Sequence, residues 1–294
     1  MNKKPKNSNS PGMRVVSFPD GTSVPLLGQG TWNMGEKQGM KEQEVKALRL
    51  GIELGMTLID TAEMYGSGGA ESVVGEAIKG LREQVFLVSK VYPHNAGRNK
   101  IVVACENSLR RLKTDHLDLY LLHWRGQIPL KETVEGMEKL KKEGKILRWG
   151  VSNFDMDDME ELFTIPNGAN CMTNQVLYHL GSRGIEFDLL PWHKSQQMPI
   201  MAYSPVAQGG SLRKQLLTDA TVRSIAEEHS VKPMQIILAW SIRSNHVIAI
   251  PKAVQLEHIK ENAEAASIEL TAEDLARLDK IFPAPIKKIS LDII

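Results

Sequence analysis

Eight continuous apolar runs, each followed by a stretch with helical periodicity, leave this chain few folds to choose from. The runs are 26–29, 57–59, 85–89, 117–122, 147–151, 172–176, 200–202 and 247–250. None alternates apolar with polar residues, and continuous runs are the mark of strands buried on both faces of a parallel sheet. Helical spacing follows at 42–54, where Val45, Leu48 and Ile52 recur, and at 70–79, 100–112, 130–143, 156–163, 185–197, 219–228, 233–243 and 256–265. Pro233 suits a first helical turn, where its missing N–H costs little. The alternation predicts a closed (β/α)8 TIM barrel. An open doubly wound sheet is the competitor, but no G-x-G-x-x-G turn follows an early strand.

The two ends add to the barrel. Short extended pieces at 14–18 and 23–24 flank Pro19-Asp20-Gly21-Thr22, a composition that favours a hairpin, and predict an N-terminal β-hairpin cap. At 271–281, Leu275, Leu278 and Ile281 share one face behind the Thr271/Asp274 capping pattern, which predicts an extra C-terminal helix. A chain of 294 residues is within reach of one barrel domain, here 13–294, and the polar stretch 1–12 is expected to be a disordered tail.

Composition narrows the function classes. A formal charge of +1 with no dense basic block gives no reason to expect nucleic acid or an anionic membrane as partner. Cys105 and Cys171 are isolated and lack C-x-x-C spacing, so neither a disulfide framework nor a metal site is expected. With no apolar segment at the start and no run long enough to span a bilayer, the expectation is a cytoplasmic protein.

Three of the apolar runs end in titratable groups. Leu58-Ile59 stops at Asp60, with Tyr65 five residues on in a loop closed by Gly66; the run 85–89 stops at Lys90; the run 117–122 stops at His123. In a barrel the C-terminal ends of the strands share one rim, so the four groups are expected to meet there. Taken singly, each has a blander reading: a helix cap for Asp60, a solvated Lys90, a hydrogen-bonded rim residue for His123. Together they suit the protonation of an oxygen on which negative charge develops. A phenol of ordinary pKa about 10 is a poor acid near neutrality unless its anion is stabilised, and a neighbouring ammonium supplies that. A carboxylate would hold the ammonium, and an imidazole would direct a carbonyl oxygen.

The stretch L-I-D-T-A-E-M-Y-G, followed in order by S-K-V, L-L-H-W, G-V-S-N-F and I-P-K, resembles the aldo-keto reductases over nearly the whole chain, and within them bacterial reductases of small aldehydes, including methylglyoxal. The resemblance implies NADPH-dependent reduction of an aldehyde or ketone by hydride transfer, with Tyr65 as general acid, Lys90 and Asp60 tuning it, and His123 directing the carbonyl. It also implies that Ser152, Asn153 and Gln175 bond the carboxamide of NADPH/NADP+, and that Tyr203, followed by Ser204, stacks on the nicotinamide. Gly30, Thr31 and Trp32 are implied near the cofactor and pocket mouth. Lys252 and His258 are implied at the 2′-phosphate, and Glu261 and Asn262 at the adenine. Blander readings remain for Tyr203 as a core aromatic and for Ser152-Asn153 as a turn.

The phosphate end departs from the family pattern. NADPH-preferring members read I-P-K-S and then Arg five residues on, whereas this chain has Ile250-Pro251-Lys252-Ala253 and then His258. A neutral imidazole contributes less than a bidentate guanidinium, so preference for NADPH with some tolerance of NADH is expected, with pH dependence if His258 participates. Trp32, Tyr92 and Trp124, with Trp192 as a weaker candidate, are expected to form an aromatic substrate wall. The short segment after Pro283-Ala284-Pro285 is expected to leave the pocket more open than in relatives with a long C-terminal loop, and the specificity broad. Two other classes compete: a nucleotide-binding regulatory subunit resembling potassium-channel β subunits, and a barrel lyase or isomerase using Lys90 as a Schiff base. A monomer or weak homo-oligomer is expected.

Overall fold

The structure, a computed structural model, describes residues 13–294, so the expected tail at 1–12 lies outside the described residues. Val15–Ser17 (β1) and Ser23–Pro25 (β2) pair antiparallel with Val16 opposite Val24. This hairpin covers the end of the barrel at which the strands begin. Phe18 stacks on Phe86, the first residue of a barrel strand, and Asp20 accepts a hydrogen bond from Arg148, which immediately precedes another.

The barrel itself alternates as the apolar runs require. In chain order come Gln29–Gly30 (β3), Lys41–Glu53 (α1), Leu58–Asp60 (β4), Gly69–Ala77 (α2), Phe86–Val91 (β5), Lys100–Leu112 (α3), Leu119–Leu122 (β6) and Leu130–Lys142 (α4). Then follow Trp149–Ser152 (β7), Met156–Thr164 (α5), Cys171–Leu177 (β8), Leu189–Ser195 (α6), Ile200–Tyr203 (β9), Gly210–Thr218 (α7), Ala220–Glu228 (α8) and Pro233–Ser241 (α9). Val247–Ala249 (β10), Leu256–Glu264 (α10) and Ala272–Ile281 (α11) complete it. Strands β3 to β10 are parallel and lie side by side in sequence order. A parallel bridge between Leu27 and Ala249 joins first to last, with Gly28 N donating to Ala249 O at 2.9 Å. The (β/α)8 barrel is therefore closed, and the C-terminal ends of its strands form one rim.

Thr271 caps α11, and its hydroxyl accepts from the Asp274 N–H while the Asp274 carboxylate accepts from the Thr271 N–H. Two expectations need correction. The helix expected at 185–197 is split into a short turn, Gly184–Glu186, and α6, because Asp188 adopts a non-helical conformation and caps α6 by accepting from Leu189 N–H. Helix α7 was not expected at all: it opens on Gly210 directly after Gly209, and Leu216 is its one buried residue, so it carries no apolar stripe to read.

Candidate active site

The parallel register decides which residues near the strand ends stand side by side. Gly30 pairs with Asp60, Lys90 with Leu121, Val151 with Asn174, Ser152 with Gln175, and Leu177 with Tyr203. His123 follows directly on β6, its N–H donating to Val91 O. Lys90 is one residue inside β5 rather than at its end, so its side chain enters the barrel from the wall. Gly30 is needed at this rim for packing, because a Cβ there would meet the Ile250 carbonyl oxygen at 2.7 Å.

Lys90 is the hub and is fully buried. Its Nζ donates to Asp60 Oδ2 at 2.7 Å, to Thr61 O at 2.9 Å and to Tyr65 Oη at 3.1 Å, which uses all three ammonium hydrogens. Asp60 Oδ1 accepts from Gln175 Nε2 at 2.7 Å, and its backbone oxygen accepts from Thr31 Oγ1 at 2.9 Å. Because Lys90 donates into the phenol oxygen, the Tyr65 hydrogen is left for another acceptor. The four expected groups come together, with the Tyr65 and His123 rings 5.7 Å apart and close to perpendicular.

Burial pushes the Tyr65 phenol above its ordinary value, and the Lys90 charge pulls it back without prevailing. The phenol therefore keeps its proton. For Lys90, burial alone would lower the ammonium's pKa; the Asp60 charge and hydrogen bonds outweigh that and hold it above the ordinary value. Burial raises Asp60, with Lys90 and Gln175 opposing. Burial first and the Lys90 charge second push the His123 imidazole down to about 2, so it is neutral. Among the described residues its Nδ1 is buried without a partner, which leaves Nε2 as the ring nitrogen able to meet a ligand.

A cavity of about 470 Å³ runs from these groups across the rim. Gly30, Thr31, Trp32, Ser152, Asn153, Gln175, Tyr203, Ser204, Lys252 and His258 line it, along with Asp60, Tyr65 and His123. Tyr203 Oη donates to Asn153 Oδ1 at 2.8 Å, Ser152 Oγ donates to the Gln175 carbonyl at 2.8 Å, and Asn153 Nδ2 donates to His123 O at 3.1 Å. Glu261 and Asn262 do not line the cavity: they lie further along α10, with Asn262 buried and the Glu261 carboxylate engaged by Lys232. Tyr92 and Trp124 also stand behind the lining, edge to face at 5.8 Å, with Trp124 against the His123 ring at 4.9 Å. Trp192 packs on Phe163 of α5, outside the cavity.

Several lining residues were not singled out from sequence, and two of them bear on the site's chemistry. Arg213 of α7 borders the same cavity as His258 and Lys252, and neither Arg213 nor Lys252 is in an ion pair with a carboxylate among the described residues. Ile294 is the second: the short segment after Pro285 ends at the cavity wall rather than clear of it. The segment 283–294 turns back over the rim, where Lys288 Nζ bonds the helix-capping carboxylates of Asp155 and Asp188, and Ser182 Oγ donates to Asp292. Among the described residues no group of three His, Cys, Asp or Glu side chains is placed to hold a metal, and no helix is long and apolar enough to cross a membrane.

Residues 26–282 match the model of the aldo/keto reductase family. The chain is 59% identical to the methylglyoxal reductase YeaE of Escherichia coli over 281 residues, which cover 96% of this chain and 99% of that one. It is 36% identical to the glyoxal reductase of Bacillus subtilis, covering 91% and 92% of the two chains. Among solved structures, an aldo/keto reductase from Klebsiella pneumoniae in complex with NADP and acetate superposes with a TM-score of 0.94 at 55% identity, covering 96% of this chain and 100% of that one.

Proposed function

The chain belongs to the aldo/keto reductase family, and we propose that it reduces small and aryl aldehydes of the methylglyoxal type to alcohols with NADPH, Tyr65 being the general acid. The observation that carries this reading is the run of hydrogen bonds from Gln175 through Asp60 and Lys90 to Tyr65, ending in a protonated phenol that faces a cavity beside a neutral imidazole.

The residues present fit a nicotinamide dinucleotide. Ser152, Asn153 and Gln175 bring amide and hydroxyl groups to one end of the cavity, and no hydrogen bond to the Gln175 amide oxygen is present among the described residues. Lys252 and Arg213 give the other end cations without carboxylate partners among the described residues, as phosphate groups require, and the His258 imidazole lines the cavity with them. The bound cofactor supplies the hydride. Tyr203 offers an aromatic face and Lys252 a charge for the 2′-phosphate, with Arg213 the additional cation at that end. Glu261 and Asn262 remain the candidates for the adenine, reached beyond the cavity.

His123 Nε2 and the Tyr65 hydroxyl hydrogen both converge on a carbonyl oxygen placed between the two rings. As negative charge develops there, the Tyr65 proton passes to that oxygen. The resulting phenolate is stabilised by Lys90, whose own charge is compensated by Asp60. The alcohol leaves with the Tyr65 proton, which solvent replaces. A Schiff base at Lys90 is disfavoured, since all three of its hydrogens are engaged and its pKa is raised. The regulatory-subunit alternative is not favoured, because the likeness is to reductases and the proton-donating groups are assembled.

Trp32, Met64 and Ile294 give the substrate end an apolar surface, with Tyr92 and Trp124 backing His123. Two buried free thiols support a cytoplasmic location, and one barrel over 13–294, acting as a monomer or weak homo-oligomer, is the proposed unit. The test is Tyr65→Phe with methylglyoxal and an aryl aldehyde. Turnover should fall by about a thousandfold or more, while quenching of NADPH fluorescence on binding persists. Retained turnover would overturn the assignment.

A further inference from the structure

Behind the rim, on the outer face of the sheet, lies a polar cluster that the reaction does not touch. Glu71, in the first turn of α2, is fully buried. Its Oε1 accepts from Ser89 Oγ at 2.6 Å and its Oε2 from Arg111 Nε at 2.5 Å. Successive strand residues point to opposite faces, so Ser89 is turned out toward α2 because Lys90 is turned in toward Asp60 and Tyr65. The chain between Tyr65 and Glu71 is a turn in which Gly66, Ser67 and Gly68 all have left-handed backbones, with φ of 56°, 53° and 87°. The guanidinium arm of Arg111 is the floor of that turn: a Cβ on Gly68 would come within 2.5 Å of Arg111 Cδ. No side chain caps the start of α2.

These contacts close a ring. Lys90 Nζ meets Tyr65 Oη inside the barrel, the turn carries the chain from Tyr65 to Glu71, and Glu71 returns to Ser89, the residue before Lys90. We infer that Glu71, held by Ser89 and Arg111, is a positioning residue that sets the distance between the Tyr65 phenol and the Lys90 ammonium. Of the three left-handed residues, Ser67 is in a costly conformation that persists only when its surroundings hold it. The buried Glu71 carboxylate joins both sides of the contact through short charge-assisted bonds, which hold geometry better than neutral ones. The inference rests on the reading of Tyr65 as general acid.

Ser89→Ala is the primary test, because Glu71 keeps its Arg111 partner and its charge stays compensated; Glu71→Gln is the second. Displacement of an acid by a fraction of an ångström to an ångström lowers kcat by about ten- to a hundredfold, with KM within about threefold of the parent. NADPH binding stoichiometry should be unchanged. Because Lys90 opposes the upward shift of the phenol, a looser contact should also move the basic limb of the kcat profile to higher pH. A merely structural role would lower the fraction of NADPH-binding protein and leave the pH profile in place. Parental kcat and pH profile in both variants, or a loss of kcat that only follows the loss of binding sites, overturns the inference. If Tyr65→Phe is inactive while Ser89→Ala behaves as the parent, only this inference fails; if Tyr65→Phe turns over, the acid assignment fails first.

Discussion

Gln175 Nε2 reaches across the barrel to Asp60 Oδ1, 2.7 Å away and 115 positions earlier in the chain, so an amide that lines the cavity and the Tyr65 phenol share one hydrogen-bond chain. Asp60 is buried and accepts from Lys90 on its other oxygen.

Gln175→Ala leaves one buried carboxylate oxygen without a donor. Hydrogen bonds to charged groups are worth roughly 1.5–3 kcal/mol, which for a protein of this size lowers Tm by roughly 2–5 °C. NADPH affinity should weaken at the same time, because the amide is lost from the carboxamide end of the cavity. Differential scanning calorimetry and fluorescence titration read the two effects. A change in Tm with unaltered NADPH affinity would separate Gln175 from the cofactor.

Stability should fall as the pH is lowered through the imidazole range. Burial pushes His123 down to about 2, His193 to about 3 and His179 to about 4. Their folded pKa values lie below the unfolded value of about 6.5, so the unfolded chain binds more protons below that pH. The stabilisation is fully present above about pH 6.5 and is lost as pH falls toward the folded values, by roughly 2 kcal/mol per group at about pH 5. Urea midpoints at about pH 7 and 5 measure it. His193→Gln, at a position away from the cavity, should shrink the difference between them; an undiminished difference would count against burial of a neutral His193.

His258→Arg should restore the guanidinium missing at the phosphate end. A charge-assisted, bidentate contact is worth about ten- to a hundredfold in binding, so the NADPH-to-NADH ratio of kcat/KM should rise by that factor, chiefly through KM. His258 is exposed and lines the cavity, so the substitution needs no repacking. If the ratio does not move, Arg213 and Lys252 already saturate the phosphate.

Much of this was legible in the residues because buried parallel strands are continuous apolar runs, and a closed barrel turns the order of those runs into spatial order. Asp60, Lys90 and His123 could be placed together for that reason alone. Helix α7 could not, since with Leu216 as its one buried residue it has no stripe, although Ser-Leu-Arg-Lys-Gln-Leu-Leu consists mostly of good helix formers. Arg213 went unnoticed with it. The net upward shift of Tyr65 depends on how burial and the Lys90 charge balance, which no spacing encodes. The Glu71–Ser89–Arg111 cluster joins α2, β5 and α3, and nothing local distinguishes its members from ordinary surface polar residues.

The return of the C-terminal segment to the rim has a practical side. Lys288 fastens it to two helix caps, and Ile294 reaches the cavity wall. A purification tag or fusion partner joined after Ile294 begins at the entrance used by substrate and competes for that space. Met13, where the described residues begin, lies instead next to the hairpin that covers the opposite end of the barrel, so labels placed on that hairpin stay clear of the cavity.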